Sequence, residues 1–151
     1  MLAAVLITMI VICVITDWRK RKIYNAVLAP ALGAAFILHG AEAGAAGVGY
    51  SFLGLLAGMG LLLIPYLMKG IGAGDVKMLG VIGALMGPGF VFSAFLYTAL
   101  IGGVIAAAVI LIRYRRVRRG QDITAYRAIP YGIPIALGAA CALVIGGGVL
   151  S

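Results

Sequence analysis

Gly72-Ala73-Gly74-Asp75-Val76-Lys77 divides two apolar runs, Val48 to Met68 before it and Val76 to Met86 after it. The first of these is long enough to cross a bilayer, which takes about 20 apolar residues. A carboxylate at that junction is expected at the edge of a membrane or just inside it. The chain has only four acidic residues, Asp17, Glu42, Asp75 and Asp122. Asp17 holds a similar place, at the end of the first apolar run, Leu2 to Thr16. Two carboxylates at one membrane depth suggest shared chemistry.

Composition agrees with a membrane setting. Of 151 residues, 64% are hydrophobic and 11% charged, against about 45–50% and about 25% in soluble domains. The expected class is an all-α polytopic membrane protein, with residues 1–151 as a single membrane-embedded domain. No hydrophilic segment is long enough to fold as a second one. The net charge of +8 would suggest nucleic acid in a soluble protein. Here the basic residues lie in short clusters between apolar runs, which is how membrane orientation is encoded, so no nucleic-acid partner is expected. Cys13 and Cys141 lie inside apolar runs and belong to no CxxC, so they read as packing residues. The first run has its positive charges after it, at Arg19 to Lys22, and none before it. That order predicts a retained first helix with its N-terminus outside, rather than a cleaved signal.

The runs predict six transmembrane helices. Leu2 to Thr16 is extended to the interface by Asp17-Trp18. Arg19-Lys20-Arg21-Lys22 forms a basic loop, and Ala26 to Leu38 is the second span. A turn at His39 to Gly44 leads into Val48 to Met68, where Gly54 and Gly58 have the small-xxx-small spacing of close helix contacts and Pro65 predicts a kink. Val76 to Met86 ends at Gly87-Pro88-Gly89, a strong turn signal. Phe90 to Ile112 is a full span, Arg113 to Arg127 a basic loop, and Ile129-Pro130-Tyr131-Gly132-Ile133-Pro134 opens the last span, to Leu150. With the N-terminus outside, the inward loops are 17–25, 69–77 and 113–130. They hold all twelve basic residues, as the positive-inside rule requires. Asp17 and Asp75 then share the cytoplasmic side.

If the first and fourth spans pack together, these two carboxylates can meet. Such a pair shares a proton and holds a water, one member acting as base and the other as acid. That is peptide hydrolysis with no metal and no cofactor. The sole histidine, His39, is expected at the opposite interface, which leaves no Ser-His-Asp or Cys-His arrangement and no zinc-ligand cluster. Gly70, Gly72 and Gly74 permit irregular backbone, which is tolerated at membrane depth only beside a cavity or within protein. A plainer role exists for Asp75, as an N-cap of the fourth helix. Asp17 has no such role, because a helix C-terminus disfavours a carboxylate.

Gly72-Ala73-Gly74-Asp75-Val76-Lys77 resembles the GxGD motif of the type IV prepilin peptidases, in its GxGDxK form. Asp17 with Arg21-Lys22-Ile23-Tyr24-Asn25 is similar to the family's upstream motif, with Tyr24 where many members have Pro. Pro130-Tyr131-Gly132-Ile133-Pro134 resembles its C-terminal proline-glycine motif. The resemblance implies a membrane aspartic endopeptidase of the cell's inner membrane that cleaves the basic leader from prepilins at the cytoplasmic face. Asp17 and Asp75 would be the catalytic pair, and Gly72, Gly74, Lys77, Asn25, Pro130 and Gly132 would shape the site. The family's bifunctional members carry a cytoplasmic domain with paired CxxC motifs that also N-methylates. The loop at 17–25 has no such domain, which resembles the compact TadV/CpaA-type peptidases of Flp-type prepilins, leaving the prepilin helix with its leader and membrane lipids as the partners. Archaeal preflagellin peptidases share the aspartate pair and are the alternative within the same class. A small proton or cation transporter subunit is the alternative from another class, since intramembrane acids often mark ion paths. Against it, both aspartates lie at one face.

Overall fold

A chain this apolar has little water to satisfy its backbone, and the helix does so within each segment. The computed structural model describes residues 1–20, 24–118 and 131–146. Its elements are α1 (Leu2–Lys20), α2 (Asn25–Leu67), α3 (Ala73–Met86), α4 (Pro88–Arg118) and α5 (Gly132–Ile145). The regular elements among the described residues are all helices. Two of them, Asn25–Leu67 and Pro88–Ile112, are long and apolar enough to cross a membrane, and Leu2–Asp17 and Gly132–Ile145 are shorter apolar helices.

The 43 residues of α2 do not make one rod. Gly44 has φ 58° and ψ −136°, a conformation open in practice only to glycine. The chain reverses there. Ser51 Oγ donates to the Ala35 carbonyl at 3.4 Å, although a straight helix would hold these residues about 24 Å apart. The same hydroxyl pairs with His39 Nδ1 at 2.6 Å. His39, expected as an interfacial residue, is therefore a clasp between two antiparallel arms. Gly47 lies so near the His39 carbonyl that a Cβ would collide with it. The turn expected at 39–44 thus forms, and the second and third apolar runs are the two arms.

The helix ends add local detail. Within α2 the non-helical dihedrals fall at Gly44. Pro65 lies where the second arm closes, its carbonyl accepting the Gly70 N–H at 3.0 Å while Tyr66 accepts from Lys69 at 2.9 Å. This is a Schellman closure, with Lys69 at φ 57° where glycine is usual. Helix α1 continues through Arg19 to Lys20, and α4 runs on to Arg118, so both basic loops begin as helix. Arg and Lys are good helix formers, and their charge suits a helix C-terminus.

Helix α3 is the centre of the bundle and touches each of the other four. Its residues Met78 to Leu85 are buried without interruption, as expected for a helix apolar on every face. Glycines let the second arm of α2 reach it. Cβ atoms at Gly54 and Gly83 would each run into the other residue's carbonyl, and one at Gly58 would meet the Leu79 carbonyl. Helices α4 and α5 pack the same way, with Gly138 against Thr98 and Gly102 against the Tyr131 hydroxyl. The start of α5 is therefore level with Gly102, and α4 runs about 15 Å further to Ile112. At the other end, Gly87 (φ 89°) lies against the Tyr50 hydroxyl and turns α3 into α4.

Gly54→Ala is expected to destabilise the protein by at least about 2 kcal/mol, because the new methyl overpacks a backbone contact. Gly60→Ala, with nothing within 4 Å of the added Cβ, should be neutral or gain up to about 1 kcal/mol from helix propensity. Unfolding of both variants in one detergent checks the difference, and equal stabilities would contradict the backbone contact.

Candidate active site

The last turn of α1 and the first turns of α2, α3 and α5 meet at one end of the bundle. Each brings one of the residues singled out in the sequence. Asp17 lies one turn before the end of α1 and is only 6% exposed. Gly132, the first residue of α5, is buried beside it. A Cβ on Gly132 would press on the Asp17 carboxylate, nearest to Oδ2. Glycine at that position is what allows α5 to begin against the acid.

Asp75 comes from α3. The cap of this helix is Gly72, in extended conformation (φ −78°, ψ 152°), so Asp75 is the third residue of the helix and not its N-cap. Its Oδ2 accepts the Gly72 N–H at 3.2 Å, which satisfies one of the free donors at the helix start. The positive end of the helix favours a carboxylate there. Asp75 is half-buried, and the charge of Asp17 acts on it. The fold therefore places the two acids, 58 positions apart, within electrostatic reach of each other.

Lys77 and Asn25 tie α3 to α2. Lys77 Nζ donates to Asn25 Oδ1 at 3.4 Å, a long bond between two exposed side chains. Gly74 lies half-buried in the first turn of α3. Pro130, together with Arg21, Lys22 and Ile23 of the upstream motif and Asp122, lies outside the described residues. Of the remaining site residues, Asp17 lies against Gly132 and within electrostatic reach of Asp75, Gly72 donates to Asp75, and Lys77 donates to Asn25. Leu28, Leu32 and Val81 also line a slot beside Asn25 and Lys77. They carry no motif, and an apolar residue in an apolar helix gives no signal of facing a site.

Among the described residues, no group of three or more His, Cys, Asp or Glu side chains lies together to hold a metal ion. Two acids and a backbone donor at one end of the bundle are groups suited to proton transfer. One carboxylate can accept a proton while its neighbour donates one.

Comparison with known proteins points the same way. The model of the type IV leader peptidase family matches residues 4–107, a stretch that contains both aspartates. The prepilin leader peptidase/N-methyltransferase of Bacillus subtilis (strain 168) is 30% identical over 154 residues, which is 99% of this chain and 57% of that protein. The chain thus spans little more than half the length of this relative. No solved structure matches it.

Asp75→Asn retains the bond from Gly72 and relieves the like charge, whereas Asp75→Ala loses the bond. The Asn variant should be more stable than the Ala variant by about 1 kcal/mol. Equilibrium unfolding of the pair measures this, and equal stabilities would show that the Gly72 bond contributes nothing.

Proposed function

The chain belongs to the type IV leader peptidase family, and from that premise we propose that it is a membrane aspartic endopeptidase removing the leader peptide from prepilins. The observation that supports this reading is that Asp17 and Asp75, from α1 and α3, lie at one end of the bundle within electrostatic reach of each other. In the proposed reaction the pair holds one proton, because two close carboxylates do not both ionise easily. The ionised member takes a proton from a water as that water attacks the scissile carbonyl carbon. The protonated member gives its proton to the carbonyl oxygen. Collapse of the resulting diol breaks the C–N bond, and a proton passes to the leaving amine. Gly132 keeps the Asp17 carboxylate from being displaced, Gly72 orients Asp75, and Lys77 with Asn25 holds the first turn of α3 against α2. Gly74 and Pro130 complete the site-shaping set.

In this reading residues 1–151 form one peptidase domain in the inner (plasma) membrane, surrounded by lipid. The six spans are α1, the two arms of α2, and α3, α4 and α5, with the N-terminus outside and the site toward the cytoplasm. The placement of all twelve basic residues in 17–25, 69–77 and 113–130 supports that orientation. The compact passage from α1 to α2 contains no cysteine, which supports proteolysis without methylation and a Flp-type prepilin as substrate.

Co-expression with such a prepilin tests the reading. Asp17→Asn and Asp75→Asn are each expected to slow processing about 100-fold or more, seen as loss of the mobility shift. Full processing by either variant would sink the aspartate pair. Gly132→Ala should slow it about 10-fold or more by moving Asp17 out of line. Glu42→Gln, at the hairpin far from the site, should process as wild type.

A further inference from the structure

An apolar slot of about 300 Å³ lies between the two arms of α2 and helix α3. Leu28, Leu32, Leu55 and Val81 form its walls, and Asn25 and Lys77, joined to each other, stand at its mouth. Lys77 and Asp75 are two residues apart, so they face about 200° from each other around α3. The slot and the acids thus lie on opposite sides of the same first turn. What separates them is Gly72-Ala73-Gly74. Gly72 and Ala73 are exposed, and none of the three has a side chain beyond Cβ. Across these three residues the tip of α3 presents no bulky side chain to a crossing peptide. A helix is about 10 Å across, which three extended residues span.

We propose that this slot receives an apolar side chain of the substrate about three residues beyond the cleaved bond. The proposal rests on the peptidase reading above and assigns that enzyme a specificity pocket. Charge decides which flank of the substrate enters. The leader is basic, and the Lys77 ammonium at the mouth repels it. The walls offer its cations no partner, and burying an unpaired charge is costly. The segment after the cleaved bond is apolar and meets neither obstacle. The volume suits one or two side chains rather than a whole helix, so the slot reads a position and leaves the rest of the substrate helix in lipid. The small residues of the GxGD turn then acquire a second purpose, as a low saddle between the acids and the pocket.

The test uses the full-length protein in proteoliposomes with synthetic prepilin peptides. Each successive position after the cleaved bond carries Leu, Ala or Trp in turn. Ala29→Phe fills the slot from its exposed lip. It should lower kcat/KM about 10-fold or more for Leu at one position near the third, while the peptide with Ala there is cleaved at the wild-type rate. That unchanged rate shows that the variant is folded. Leu32→Ala widens the slot and should raise the Trp peptide relative to the Leu peptide at the same position. Thr8→Phe fills the separate crevice between α1 and α2 and should alter none of these ratios. If Ala29→Phe and Leu32→Ala discriminate as wild type does at every position, the slot is filled by lipid and the proposal falls alone. It falls also if Thr8→Phe produces the switch. If wild type cleaves no peptide, or Asp75→Asn cleaves as well as wild type, the peptidase reading falls and takes this one with it.

Discussion

The contact between Gly54 and Gly83 sets the position of everything else in this bundle. Each residue presents bare backbone to the other's carbonyl, and a single methyl on either side would force the helices apart. Gly58 repeats the contact one turn along, against Leu79. Among apolar helices in lipid, burial of apolar surface gives little preference for one neighbour over another. Close packing of small residues supplies that preference. Here it draws α3 against the second arm of α2 and leaves eight consecutive residues, Met78 to Leu85, buried. Once α3 is seated, its first turn has a determined position, and Asp75 is on that turn.

The second acid arrives by a different route. Asp17 is near the C-terminal end of α1, where the helix dipole opposes a carboxylate, and it is almost wholly buried. Local rules would not place an acid there. Asp75 sits under the opposite conditions, at a helix N-terminus with a backbone donor from Gly72. Natural sequences tend to break local rules at functional sites, and the rule-breaking member is the acid whose sequence context offered no structural role. Gly132 adds to this, since α5 can begin beside Asp17 only because the residue there has no side chain.

The pattern of runs and turns was legible from the sequence to within a few residues. Glycine and proline carry conformational information locally, so the reversal at Gly44 and the turn at Gly87 were marked in advance. The differences have separate causes. Arg19, Lys20 and Arg113 to Arg118 were assigned to loops because they are charged, yet charge opposes burial and not helix formation, and both helices run on through them. Pro65 occurs where the second arm ends, and its carbonyl closes the terminus. Asp75 was offered as an N-cap. The extended Gly72 took that role because the helix starts two residues before Asp75, and only backbone dihedrals distinguish the two registers.

The sequence by itself determined that this chain is helical and apolar, where its segments turn, and which two acids were available for shared chemistry. Those properties follow from composition and from neighbours along the chain. That Asp17 and Asp75 share one end of the bundle was decided by the tertiary structure, since 58 positions of sequence do not specify a distance. The glycine contacts of α3, the reversal at Gly44 and the missing side chain at Gly132 together bring them to one end. The slot beside Asn25 and Lys77 was also decided there. Leu28, Leu32, Leu55 and Val81 belong to three helical segments and look alike in an apolar sequence, and packing alone sets them around one cavity.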